Sequence, residues 1–307
     1  MISLVLGLLV SIAAIAIFLS SQRTWRATES LARIQEDGRV AFELMARDLR
    51  QAGGTPCGTN LPVANVLNGA SATTAPWWMN WGAAVVGYDR GALEDSAAGT
   101  DAIEFVTSGS QVVTVVKHST SSPNSGGRFT IDNSDHDFVD GDIILVCDYS
   151  QASILQLSRA RKGSNTIEYV RGSGSPGNCT TDLTAPVVCS SRGSSKNYAP
   201  GSLLARFQVM RWFVDDNGRG GRSLYRSVMV KGRFARDEVA EHIQSMRIAY
   251  LVYETGEYAF ASAAPDWKNV VAVRIRLSLQ GTTKEGVNRS PLKRIMFQTI
   301  TLRNRIP

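Results

Sequence analysis

Apolar side chains fill residues 1–20, MISLVLGLLVSIAAIAIFLS, without a single charge. A helix of about 20 residues rises roughly 30 Å, the thickness of a bilayer's hydrocarbon core. The run therefore predicts a membrane-spanning segment in which Leu4, Leu6, Leu8, Leu9, Ile12, Ile15 and Phe18 face an apolar surround. A cleaved secretory signal is the rival reading. Against it stand the missing basic leader, the further apolar residues after Ala14-Ile15-Ala16, and a helical pattern that runs on past any such cut. From Ser21 to Arg50 there is no Pro and one Gly, and Leu31, Ile34, Gly38, Phe42, Met45 and Leu49 recur at spacings of three or four, marking one buried face. Glu29 with Arg33, Arg39 with Glu43, and Glu43 with Arg47 stand four apart on the remaining surface, as weak pairs on a solvated helix do. Gly53-Gly54 and Pro56 supply the stop. The pattern thus divides the chain into a transmembrane segment at 1–20, an amphipathic continuation of the same helix at 21–52, and a head at 53–307. The helix, about 50 residues and near 75 Å long, would be shared between lipid and a globular body.

Beyond the helix the period changes to two. Val271, Val273, Ile275, Leu277 and Leu279 alternate with Ala272, Arg274, Arg276 and Ser278, which predicts a half-buried antiparallel strand with a wet, basic face. Short runs rich in Val, Ile, Tyr, Phe and Thr predict further strands at 102–107, 111–117, 143–147, 153–158, 166–170, 203–214, 223–230, 246–253 and 294–302. Asp215-Asp216-Asn217-Gly218 tolerates positive φ and predicts a hairpin between 208–214 and 223–230. Residues 238–244 read as one short helix between strands. Segments 119–128 and 172–202 are rich in Ser, Gly and Asn and read as surface loops. The fold class is α+β, a long N-terminal helix laid on an antiparallel, sheet-rich head. About 250 residues suffice for one large β domain or two smaller sheets, and the pattern does not choose between them.

Charge and candidate chemistry change this picture little. The formal net charge of +6 suits an anionic partner, but the basic residues are dispersed along the chain, so charge alone does not point to nucleic acid as a direct ligand. Cys57, Cys147, Cys179 and Cys189 have no CxxC spacing and no nearby His, which argues against zinc. Behind a membrane anchor they read as disulfides of an oxidising compartment. Cys179 and Cys189 would staple the irregular 172–202 stretch, leaving Cys57 to tie the helix exit to Cys147 at a strand end. Two other connectivities exist, and four unpaired buried thiols are the alternative. His118, His136 and His242 are scattered singly, and the chain has no G-x-S-x-G elbow, Walker loop or H-E-x-x-H, so catalysis is not expected, nor any cofactor. Asp132, Asp135, Asp137, Asp140 and Asp142 could offer oxygens to calcium, but their spacing fails the EF-hand pattern and a solvated turn before the strand at Ile143 is the simpler reading. Trp77, Trp78 and Trp81 would either cap the sheet core, the preferred reading, or form an exposed docking anchor.

The stretch IFLSSQRTWRATESLARIQEDGRVAFELMARDLRQAGG resembles the N-terminal helix of PilW-type minor pilins of type IV pili. The family shows a similar S-R-L-Q-E-N-G-R-x-A stretch, an A-R-D-I-R-x-A-G helix end and a Cys soon after. GDIILVCDYSQASILQLS, the SLYR at 223–226, the strand after Trp267 and the closing TLRNR also resemble it. One departure concerns the start. The family opens on a basic leader, a Gly before the peptidase cut and a mature F-T-L-I-E-like beginning, and the carboxylate of that motif has no counterpart here. Met-Ile-Ser-Leu-Val continues such a motif, which predicts a true start upstream of Met1.

The resemblance implies assembly rather than catalysis. The protein would be stored in the bacterial inner membrane with a periplasmic head and then enter the pilus, at its tip, as part of a complex that initiates the fibre and supports twitching motility, adhesion or DNA uptake. Its partners would be other minor pilins, the major pilin and the inner-membrane assembly platform. Residues 1–20 would serve membrane storage and then fibre-core packing. Leu31, Ile34, Phe42, Met45 and Leu49 would hold head to helix, and the polar ridge Glu29, Arg33, Glu36 and Arg39 could meet a neighbour or merely be solvated. A minor pseudopilin of a type II secretion system shares the helix and head. A membrane-anchored ligand- or DNA-binding module, the other alternative, would need a concentrated basic or aromatic surface.

Overall fold

The computed structural model describes residues 2–120, 126–189, 195–263, 265–282 and 290–306; the side chains of residues 2–5 and 10 lie outside that description. A single helix, α1, runs from Ile2 to Leu49. The strands that follow are β1 (Val63–Asn65), β2 (Val85–Tyr88), β3 (Ala102–Thr120), β4 (Gly127–Ile131), β5 (Ile143–Cys147), β6 (Ala152–Gln156) and β7 (Thr166–Tyr169). After a long irregular segment come β8 (Leu203–Asp216), β9 (Arg222–Val230), β10 (Arg233–Ala240), β11 (Ile243–Val252), β12 (Tyr258–Ala259), β13 (Val270–Gln280) and β14 (Lys293–Thr301). The class is α+β, a pilin-like arrangement of one long helix and a sheet-rich body.

The strands form two sheets. In the ten-stranded one the order is β1-β6-β5-β8-β3-β4-β7, with β2 added beside β3 and β9-β10 beside β8. Its pairs are antiparallel except β1 with β6. The four-stranded sheet has the order β12-β11-β13-β14 and is antiparallel throughout. The two are sewn together along β11: Met246 N donates to Thr100 Oγ1 at 3.0 Å and Ile248 N to the Asp101 carboxylate at 2.8 Å.

Period-two alternation explains most of these strands. In β13, Val273, Ile275, Leu277 and Leu279 are buried while Arg274 and Arg276 are exposed. Helix and both sheets share one core, in which Ile34, Met45 and Leu49 of α1 join Phe105, Trp212, Ile248 and Ile275. A second core fills the far end of the large sheet around Phe129, Tyr169 and Tyr198.

Three expectations are corrected. The strands read at 102–107 and 111–117 are one 19-residue strand, because the register shift between Ser108 and Val112 absorbs the polar Ser-Gly-Ser as a bulge rather than a turn. Residues 238–244 are not a helix. Glu238 pairs with Tyr225 and Ile243 with Leu279, so the segment is the end of β10, a tight turn and the start of β11. β10 is mostly exposed, with only Ala240 buried, which hides its alternation, and the β9–β10 turn at Lys231-Gly232 takes positive φ at both residues, as a two-residue hairpin requires. Of the two expected surface loops, 119–128 overlaps the end of β3 and the start of β4, and its residues 121–125 lie outside the described residues. The other, 172–202, is irregular where described but does not stay on the surface: Asn178, Leu183 and Tyr198 are buried.

Candidate assembly surface

The helix divides along its length as its sequence does. Leu6, Leu8, Leu9, Ile12, Ile15 and Phe18 are each more than half exposed, with no other segment over them among the described residues. The Leu4 side chain lies outside the described residues. This half is long and apolar enough to cross a membrane, and Trp25, also exposed, sits just beyond it where an indole suits the membrane–water interface.

The other half is seated on the head. Ile34, Phe42, Met45 and Leu49 are buried and Leu31 is half-buried, with Ala41 and Ala46 closing the face. Gly38 brings the helix backbone so close to β13 and β14 that an added Cβ would lie 2.5 Å from Met296 Sδ and 3.0 Å from Leu279 Cδ2. Polar contacts fix the register of this seat. Asp37 Oδ2 lies 2.6 Å from His242 Nδ1, and Arg226 Nε donates to Asp48 Oδ2 at 2.7 Å.

The backbone N–H groups of residues 50–52 cap the carbonyls of Ala46, Asp48 and Leu49, and the head binds the carbonyls of the turn that follows. Thr107 Oγ1 donates to the Gln51 carbonyl at 2.9 Å, and Asn304 Nδ2 to the Arg50 carbonyl at 3.2 Å. Gly53, with φ +67°, makes the left-handed turn that ends the helix and donates its N–H to the Val106 carbonyl at 2.8 Å. Sequence reading found the apolar seat but not these fasteners. Their partners lie far along the chain, and no local pattern announces them.

The polar ridge carries Glu29–Arg33 and Arg39–Glu43 ion pairs at 2.5 and 3.1 Å, with Glu36 exposed between them. Exposed pairs of this kind contribute little to stability.

Both disulfides are present. Cys57 is joined to Cys147 at the end of β5, closing a 90-residue interval, and Cys179 to Cys189 across 10 residues.

The five aspartates of the 132–142 segment are tied to partners spread along the chain rather than turned on one point. Asp132 accepts from Thr114 N and Asp140 from Ala160 N, Asp135 pairs with Lys162, and Asp137 and Asp142 share Arg206. Among the described residues no group of three or more His, Cys, Asp or Glu is placed to hold a metal ion. Trp77, Trp78 and Trp81 are all half-buried against the core beneath the large sheet, with Trp78 and Trp81 each 6.0 Å from Phe207 between ring centres. Trp77 and Trp81 also line an open hollow of about 750 Å³ with Trp267.

A helix with an exposed apolar half, seated by its other half on a β-rich head, is consistent with a pilin-like fold. Residues 211–304 match the family model of PilW, the type IV pilus-assembly protein W, and this supports a PilW-type protein. The match runs from the second half of β8 through β14, so it contains the whole four-stranded sheet, while α1 lies outside it. Neither a curated protein nor a solved structure gives a match.

Proposed function

We propose that this chain is a minor pilin that helps to initiate type IV pilus assembly. The observation that carries the reading is the two-part helix: one half finds no cover among the described residues, and the other is locked onto the part of the head that matches the pilus-assembly family. An uncovered apolar helix is stable only in lipid or among other apolar helices. A protein that moves from the inner membrane into a fibre of bundled helices meets both surrounds in turn. The head then contributes to the outer shell, and the ridge Glu29, Arg33, Glu36 and Arg39 meets the neighbouring subunit. The role is assembly rather than catalysis, with other minor pilins, the major pilin and the inner-membrane platform as partners and the fibre tip as its place. Twitching motility, adhesion or DNA uptake would depend on it through the fibre.

Deleting the gene tests this. Surface pili counted by electron microscopy should fall steeply while the major pilin remains in the membrane fraction. Leu6→Asp should reproduce the deletion, because an aspartate near mid-bilayer costs about 2.5 to 3.5 kcal/mol on insertion scales and would also be unpaired among packed helices. Normal piliation in a strain without a substituting minor pilin would overturn the reading.

A further inference from the structure

The four-stranded sheet has two unlike faces. One lies under the helix, with Leu279 and Met296 against Gly38. The opposite face, turned away from the helix, carries three arginines, each laid against an aromatic ring. The Arg247 guanidinium is 5.4 Å from the Phe260 ring centre, Arg274 is 3.9 Å from Tyr258, and Arg276 is 5.9 Å from Phe297.

The arginines form a compact ladder. Arg247 and Arg276 are directly opposite each other across the β11–β13 register, and Arg274 is two residues along the same face, about 6.8 Å away at the usual rise of a strand. Like charges directly opposite in a sheet are destabilising. No carboxylate on the sheet offsets them: the positions of β11, β13 and β14 that share this face hold no Asp or Glu. Arg247 has one ion pair, at 3.3 Å to Asp101, and neither Arg274 nor Arg276 has an ion-pair partner among the described residues. Phe297 is 65% exposed and Phe260 47%, so the rings as well as the charges face solvent.

We propose that this face binds single-stranded nucleic acid. A guanidinium meets phosphate oxygens through its planar fork, and a flat sheet bearing exposed rings and Arg planes stacks unpaired bases. A phosphodiester strand uses both features at once. An acidic protein segment would use the charges and leave the rings idle, and a duplex hides its base faces. Alternation along β13 gives its face two arginines, Arg274 and Arg276, but their convergence with Arg247, Phe260 and Phe297 is not visible along the sequence, because those three lie on other segments.

The test uses the full-length chain in detergent micelles and a fluorescein-labelled 20-mer oligothymidylate, read by anisotropy. Saturable binding is expected, weakening with salt at a log–log slope of about −2, from three contacts at roughly 0.7 each. Arg274→Ser with Arg276→Ser should weaken binding at least tenfold and reduce the slope by about 1.4. Phe297→Ala should weaken it about tenfold and leave the slope unchanged, the signature of lost stacking. Arg159→Ser with Arg161→Ser removes equal charge from an exposed turn of the other sheet and should change affinity less than twofold. All of these side chains are exposed, and an unchanged melting temperature identifies variants that remain folded. The proposal is overturned by absence of binding, by equal loss in the Arg159/Arg161 control, or by tighter binding of a duplex of the same length. Displacement by polyglutamate as effective as by unlabelled oligothymidylate would also overturn it and assign the face to an acidic protein partner.

Discussion

His118 shows how a residue that invites a functional reading is consumed by the fold. It is buried among Phe129, Tyr169 and Tyr198, stacked 4.2 Å from the Phe129 ring, with the Tyr198 N–H donating to Nδ1 at 3.2 Å and Nε2 2.9 Å from the Tyr169 hydroxyl. A ring whose Nδ1 already accepts a hydrogen bond is neutral, and burial pushes its pKa down from 6.5 to about 4. Above pH 6.5 the group adds no pH dependence. Below that, the unfolded chain takes up a proton that the folded chain refuses, so stability should fall by about 3 kcal/mol in total and level off near pH 4. Denaturant melts of the wild type and His118→Gln between pH 7 and 4 check this, the variant lacking that component of the acid loss. The sequence showed three isolated histidines and could say no more, since the aromatic partners of His118 are 11 to 80 residues away.

At the scale of elements, legibility follows how local the determining contacts are. The helix was readable from end to end because every signal for it lies within four residues: the apolar spacing, the i,i+4 charges and the Gly-Gly stop. β3 was read as two strands and β10 not at all, because a bulge and an exposed edge strand are defined by their neighbours across the sheet. The helix seat can be tested directly. Met45 is fully buried, so Met45→Ala should cost about 2 to 5 kcal/mol of stability. Gly38→Val would push a branched side chain into Met296 and Leu279 and should cost about 1 to 3 kcal/mol. Chemical denaturation measures both. A loss below 0.5 kcal/mol in either, a rough threshold for a surface change, would mean that the helix is not held where described.

At the scale of the whole molecule, a long helix followed by a sheet-rich head was legible in the sequence, and the partition of the head into two sheets was not. Alternating hydrophobicity identifies strands but carries no information on which strands share a sheet. The split into ten and four, and the face on which the arginines converge, exist only in three dimensions. The anchor is the simplest property to check. Full-length protein should sediment with membranes, whereas a chain beginning at Thr28 should remain in the supernatant after ultracentrifugation, because the only described helix able to span a bilayer has then lost its apolar half. Sedimentation of the shortened chain with membranes would place the anchor in the head instead.

The bond between Cys57 and Cys147 has a mechanical consequence. A helix under tension is a tow line: the seat from Ile34 to Leu49 takes the first share of the pull, and the rest passes along the backbone into the segment just past Gly53-Gly54. Eight residues beyond Leu49, that tension meets a covalent link into β5, a strand near the middle of the ten-stranded sheet with β6 on one side and β8 on the other. The load therefore bypasses the 90-residue interval between the two cysteines, which includes β1 to β4. Along the covalent chain the pull is carried around those strands, and β3 feels it only through the weaker hydrogen bonds of Val106 and Thr107 to the helix exit.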